Sequence, residues 1–284
     1  MSVDQHLKWI PVILLAALLS HAGSLAAASK PDLWDRWEAH DPASTVVVDH
    51  TLWARFLETY LVADHPSGVN RVRYGAVRRE GLPQLGRYLD HLQQVAVSDL
   101  SRAEQKAYWI NLYNALVVEV VSRHYPVASI QDIDISPGLF GWLGGGPWKA
   151  PLAEVEGRKL SLDDIEHRIL RPIWQDNRIH YAVNCASIGC PNLQPEPFTP
   201  QNTERLLERG ARAYVNHSRG VRWASAEGLV LSSIYDWFQE DFGGSEEGVL
   251  AHLRRFAAPD LAARLAAFRG DIDYAYDWRL NDVE

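Results

Sequence analysis

Residues 101–124, SRAEQKAYWINLYNALVVEVVSRH, decide how this chain folds. Ser101 and Glu104 stand at the spacing of a capping box, in which the hydroxyl takes an orphan backbone N–H at a helix start. Beyond them Trp109, Ile110, Leu112, Leu116, Val117, Val120 and Val121 leave little polar surface. A helix that is apolar all round has to be covered by other structure, so the helix over Arg102–His124 is expected at the centre of the molecule. His124-Tyr125-Pro126 ends it. Two amides interrupt the apolar surface: Asn111 and Asn114, on one face at i, i+3 spacing, with Tyr113 beside them. Buried amides need hydrogen-bond partners. Either these two tie down neighbouring loops or they line a site.

Working outward, Trp53, Phe56, Leu57 and Tyr60 give Val46–Val62 a helical period, and Leu85, Tyr88, Leu89 and Leu92 do the same for Leu82–Val95. Arg71–Ala76 reads as a short extended piece. Strand-like residues flank Glu156-Gly157, which predicts a hairpin over Leu152–Leu160. Ser161 with Asp164 opens a helix that carries Glu166 and His167. A helix is expected from Thr199 or Gln201 to about Asn216, two strands within Gly220–Ser232, two short Ala-rich helices around Pro259, and an aromatic extended end over Asp271–Leu280. The fold class predicted is α+β: a helix-dominated single domain with a small β-sheet and a long aromatic Gly/Pro-rich loop, Ser136–Pro151. That loop contains Trp142, Trp148 and Lys149. It is either a ligand-binding loop or a loop pinned down by its own rings. Its Gly144-Gly145-Gly146-Pro147-Trp148-Lys149 run lacks the spacing of a phosphate loop.

The chain has 284 residues, 47% of them hydrophobic, enough for one sizeable core. Its formal net charge of −8 argues against a partner that is nucleic acid, which requires a basic face. Lys8 precedes an apolar run, Trp9–Leu19, and Ala26-Ala27-Ala28 supplies a cleavage signal. This pattern predicts a signal peptide over residues 1–28, an N-terminal arm over 29–45 carrying Trp34 and Trp37, and a single globular domain over 46–284. The apolar run is shorter than the roughly 18–20 residues that span a bilayer. The expectation is an exported protein, periplasmic or extracellular, that is not an integral membrane protein.

The chemistry concentrates in Ile179-His180-Tyr181-Ala182-Val183-Asn184-Cys185-Ala186-Ser187-Ile188-Gly189-Cys190-Pro191, which holds both cysteines. Ile179–Asn184 reads as a short buried strand that ends in a small-residue turn. Strand alternation would send His180 and Asn184 to one face and the Cys185 thiol to the other. Three readings of the cysteines stand side by side. Cys185 and Cys190 form a structural disulfide, as neighbouring cysteines do in an oxidising compartment. They form a redox pair, although the spacing is not C-x-x-C. Or Cys185 is a nucleophile, served by a base among His180, His167, His217 and His252. Zinc on His180, Cys185 and Cys190 is a reserve reading, and no cofactor is called for.

Several blocks resemble a known family. Tyr108-Trp109-Ile110-Asn111-Leu112-Tyr113-Asn114-Ala115 resembles the F/Y-W-I-N-x-Y-N-A signature of the family called domain of unknown function 547. Leu160–His167 is similar to its L-x-L-x-x-I-E-x motif. His180-Tyr181-Ala182 with Cys185–Pro191 is similar to its H-F-A and C-x-S-x-x-C-P blocks, and Tyr276-Asp277-Trp278-Arg279-Leu280-Asn281 to a terminal Y-D-W-x-L-N block. The resemblance runs from about Tyr74 onward and supplies a name without a mechanism.

The functional expectation is a cysteine-centred enzyme of hydrolase or acyl-transfer type. Its catalytic candidates are Cys185, His180, Asn111, Asn114, Asn184 and Glu166; its binding candidates are Trp109, Tyr113, Trp142, Trp148, Lys149 and Ser187. The alternative is a disulfide-stapled, non-catalytic binding or scaffold module. The ligand would be a small molecule, a peptide or a saccharide.

Overall fold

The computed structural model describes residues 31–135, 146–225 and 228–283. The segment expected to be a signal peptide, and the loop residues 136–145 with Trp142, lie outside the described residues.

The Arg102–His124 helix forms as its sequence dictates. The Glu104 N–H donates to the Ser101 hydroxyl at 3.3 Å, and the helix is buried on nearly every side. The helix Leu82–Gln93 lays its apolar face on it, and Thr51–Tyr60 packs in turn against Leu82–Gln93. Trp37 of the arm docks edge-on against Trp109, with ring centroids 5.0 Å apart. A second apolar cluster gathers between the helices Thr203–Val215, Glu246–Phe256 and Pro259–Ala267 and a three-stranded sheet. In that sheet Val221–Trp223 runs antiparallel to Leu229–Ser232, which runs parallel to Ile272–Ala275. Two short ribbons complete the strands, Leu61–Val62 with Arg71–Val72 and Ala153–Val155 with Arg158–Leu160. The second is the expected hairpin. Glu156 and Gly157 take φ of 47° and 71°, the left-handed pair that a tight two-residue turn requires. Helices dominate, so the α+β expectation holds.

The expected capping pair at Ser161 also forms. Asp164 N–H donates to the Ser161 hydroxyl at 3.1 Å, and Ser161 N–H donates to the Asp164 carboxylate at 3.0 Å. The helix behind it widens into π-type turns over Asp164–Leu170 before tightening over Arg171–Trp174. Such bulges re-aim side chains and recur at functional sites.

Three expectations fail locally. Arg71–Ala76 is extended only over Arg71–Val72 and is helical over Tyr74–Ala76. The first helix starts at Thr51 and not at Val46, because Asp49 accepts the Thr51 N–H at 2.8 Å and leaves Val46 and Val47 exposed. The predicted strand Ile179–Asn184 is a 3-10 helix, Asn177–Tyr181, followed by an irregular segment. Two anchors on the central helix decide this. Lys106 donates to Asp176 at 2.8 Å, and Asp176 caps the turn by accepting the Arg178 N–H at 3.0 Å. Further along, the Asn114 amide takes the Ala182 carbonyl at 2.9 Å and the Asn184 N–H at 2.8 Å, the groups that a sheet partner would need. The opposite-face separation of His180 from Cys185 therefore has no strand to rest on. Among the described residues no helix is long and apolar enough to cross a membrane.

Candidate functional site

The cysteine turn is built from both ends. Asn184, gripped by Asn114, turns its own side chain inward: Oδ1 accepts the Ala186 N–H at 3.0 Å, and Nδ2 donates to the Pro191 carbonyl at 2.6 Å. These bonds hold Ala186 at φ 60°, the left-handed region that a residue with a Cβ seldom adopts. Such a conformation costs on the order of 1 kcal/mol or more and persists only where its surroundings fix it. Ile188 N–H donates to Arg279 O, and Gly189 N–H to Asp277 O, each at 2.8 Å, which docks the turn on the C-terminal segment. A Cβ on Gly189 would stand 2.8 Å from the Asp277 backbone nitrogen, so only glycine allows this approach. The docking brings Tyr276 to Cys185.

Cys185 is a partly exposed residue, and its sulfur lies 2.9 Å from the Tyr276 hydroxyl and 3.3 Å from the Ser187 hydroxyl. Ser187 donates to Tyr276 at 3.0 Å, so its single proton is committed and Tyr276 is the hydroxyl that donates to sulfur. Behind them, the Cys185 N–H donates to the Cys190 sulfur at 2.8 Å. Burial alone would raise the Cys185 pKa, but the polar contacts with Cys190, Ser187 and Tyr276 outweigh it and hold the thiol below its ordinary value. Burial, together with the neighbouring Cys185 charge and hydrogen bond, pushes Cys190 well up. The two cysteines are free thiols, which corrects the expected structural disulfide. The turn is closed by the Asn184 amide and by backbone bonds and needs no sulfur staple. Nor do His180, Cys185 and Cys190 form a zinc site: among the described residues no three His, Cys, Asp or Glu side chains group as metal ligands.

A second polar cluster surrounds His180. Its Nε2 lies 2.7 Å from Asp241, which also accepts from Arg171 at 2.6 Å. Burial would raise the Asp241 pKa, but these two bonds prevail and hold it at about 2. On its other side His180 Nδ1 is 3.8 Å from Glu166, whose second oxygen accepts the Tyr113 hydroxyl at 3.0 Å. Phe238 stacks on the imidazole, with centroids 4.3 Å apart. Arg171 is buried against Phe238 and reaches His167 at 3.1 Å. One turn earlier Asp163 is pushed up to about 6, by burial first and then by the Glu166 charge, with Lys149 opposing. The Glu166 charge also reaches Cys185, where it works to raise the thiol pKa.

The other candidates are placed as follows. Asn111 clamps the Phe198 backbone, donating to its carbonyl at 2.8 Å and accepting its N–H at 3.0 Å. Both helix amides thus act as ties between the central helix and neighbouring segments. Trp109 is buried among core rings. Trp148 is half-buried with its ring 6.5 Å from Trp278, while Lys149 is exposed. Among the described residues no imidazole hydrogen-bonds the Cys185 sulfur: His252 is engaged with the Tyr181 hydroxyl at 2.7 Å, His217 with the Ser67 carbonyl at 2.8 Å and His167 with Arg171. Tyr276, Asp241 and Arg171 were not among the sequence candidates. Tyr276 stood in the terminal Y-D-W-x-L-N block; nothing in the sequence marked Asp241.

Fold and site together define a helix-dominated α+β protein in which a central amide-bearing helix holds a thiol turn against the C-terminal segment. A family model described as "Protein of unknown function, DUF547" matches residues 97–215. The match takes in the central helix, Glu166 and the cysteine turn, while Tyr276 lies beyond it. No curated protein and no solved structure matches the chain.

Proposed function

We propose that this protein is a thiol-dependent acyl-transfer or hydrolytic enzyme with Cys185 as its nucleophile. One observation carries the reading: Cys185, a partly exposed residue on a strained turn, has its sulfur 2.9 Å from the Tyr276 hydroxyl and its pKa drawn down. The thiolate is the reactive form of cysteine, and hydrogen-bond donors favour it. In the proposed step the thiolate adds to an acyl carbon, a C–S bond forms, and the leaving group departs with a proton. Water, or another acceptor, then releases the acyl group. Glu166 and His180, held by Tyr113 and Asp241, are the neighbouring titratable groups suited to move that proton. Half-buried Trp148, Trp237 and Trp278 form a run of rings that reaches the sulfur through Tyr276 and suit a small-molecule, peptide or saccharide ligand with an apolar face. The leader-like residues 1–28 support export to a periplasmic or extracellular site of action.

The test uses an activated ester, p-nitrophenyl acetate, on the full chain. Acetylation of Cys185 seen by peptide mass, with turnover that C185A abolishes, is the expected result. Acetylation of Cys185 no faster than that of a free cysteine peptide would sink the proposal.

A further inference from the structure

Cys190 has no part in the acyl-transfer step, yet it is built into the site. It is 3% exposed, lies five residues from Cys185, and accepts the Cys185 N–H at 2.8 Å. A cysteine's own sulfur sits within about 4 Å of its backbone nitrogen by covalent geometry. The two sulfurs are therefore held in the same turn, with the Cys190 thiol directed at the Val183 carbonyl at 3.8 Å. The turn keeps them so: Cys190 N–H donates to Ser187 O at 3.1 Å, and the Asn184 amide closes the turn at Pro191. The pair is asymmetric in access. Cys185 is partly exposed to solvent, while Cys190 is not.

We propose that Cys190 is the resolving thiol of Cys185, so that oxidation of Cys185 by a hydroperoxide ends in a reversible Cys185–Cys190 disulfide that switches the nucleophile off. The inference rests on the reading of Cys185 as a nucleophilic thiolate. In the first step the Cys185 thiolate attacks the terminal peroxide oxygen. An S–O bond forms and the O–O bond breaks, leaving Cys185 as the sulfenic acid while the departing alkoxide takes a proton to become the alcohol, or water from hydrogen peroxide. Sulfur is oxidised by two electrons and the peroxide reduced by two. In the second step the Cys190 sulfur attacks the sulfenic sulfur, the S–S bond forms, the S–O bond breaks, and the hydroxide leaves as water with the Cys190 proton. An external dithiol returns both thiols.

The pKa directions agree with the assignment. The depressed thiol is the one that meets the oxidant, and the raised thiol stays protonated and unreactive until its neighbour becomes an electrophile. The disulfide also protects Cys185 from irreversible oxidation to sulfinic acid.

The experiment treats the reduced full chain with one equivalent of hydrogen peroxide, counts thiols under denaturing conditions, and maps the cysteine peptide without reduction. A dimedone arm traps sulfenic acid. The expected result is loss of two thiols per peroxide, a Cys185–Cys190 linked peptide, and little dimedone label in the wild type. C190A should instead carry dimedone on Cys185 and progress to sulfinic acid. The wild-type stoichiometry needs no variant, so a misfolded C190A does not blunt the test. Iodoacetamide on the same reduced sample separates the two claims. Fast alkylation of Cys185 together with a persistent sulfenic acid and a free Cys190 overturns the resolving role alone. Slow alkylation of Cys185 overturns the nucleophile reading and the resolving role with it.

Discussion

Replacing Tyr276 by phenylalanine removes one oxygen and leaves a ring that still packs on Trp237 and Trp278, at centroid distances of 4.9 and 4.7 Å. The lost oxygen stands 2.9 Å from the Cys185 sulfur. Burial and the Cys185 charge raise the Tyr276 pKa well above its ordinary value, so the phenol stays protonated and available as a donor. A hydrogen bond to a charged group contributes roughly 1.5–3 kcal/mol. At about 1.4 kcal/mol per pKa unit, its loss should raise the Cys185 pKa by roughly one to two units. The thiolate fraction at neutral pH then drops about ten- to a hundredfold. A more basic thiolate is also a better nucleophile, with a Brønsted slope near 0.4–0.5, which restores part of the rate. The net expectation for Y276F is alkylation of Cys185 slowed roughly three- to tenfold at neutral pH, with the midpoint of its pH–rate curve moved up. Iodoacetamide rates across pH, resolved to Cys185 by peptide mass, measure both. An unchanged midpoint in folded Y276F refutes the donor role of Tyr276. S187A, which acts through Tyr276, should move the midpoint in the same direction by less.

Further expectations follow from the amides and the buried histidines. N114A strips the partners from two buried backbone groups, at Ala182 and Asn184. At about 1–3 kcal/mol for each, urea unfolding should show a loss of roughly 2–6 kcal/mol. N111A frees two groups of Phe198 and should lose a comparable amount, but it leaves the alkylation midpoint of Cys185 in place, whereas N114A disturbs it. Burial lowers His50 and His252 to about 4 each. The unfolded chain therefore binds more protons between about 4 and 6.5, and stability is complete above that window and lost as pH falls through it. Each histidine contributes at most about 3 kcal/mol. Asp163, raised to about 6, acts the other way: its contribution is present at low pH and lost as pH rises through 6, so it offsets part of the acid loss. H252Q, still able to bond the Tyr181 hydroxyl, should flatten the pH dependence of urea stability; an unchanged slope would contradict the buried neutral imidazole.

How much the sequence discloses depends on whether local or distant groups decide an element. The Arg102–His124 helix was legible because its cap and its all-round apolar surface are both local. The hairpin at Glu156-Gly157 and the cap at Ser161 were legible for the same reason. Ile179–Asn184 was misread because its β-branched and aromatic residues resemble a strand, while the groups that set its conformation, Lys106 and Asn114, sit on another helix. The site shows the same division. Cys185 and Ser187 could be picked out from the density of small and polar residues around them. Their partner Tyr276 is about ninety positions away, and Asp241, which fixes His180, stands on a one-turn 3-10 helix, Gln239–Phe242, too short to carry a pattern of its own. The misread strand also misjudged the relation of His180 to Cys185, since side-chain alternation has no meaning on a 3-10 turn.

The central claim is that Cys185 is a pre-activated thiolate. Its ionisation is measured most directly by iodoacetamide alkylation of Cys185 in the reduced wild-type chain from acid to alkaline pH, with C185S as the blank. The midpoint should fall clearly below that of an ordinary cysteine, about 8.5, and Cys190 should stay unlabelled until the chain unfolds. A Cys185 midpoint at or above that of a model thiol contradicts that claim.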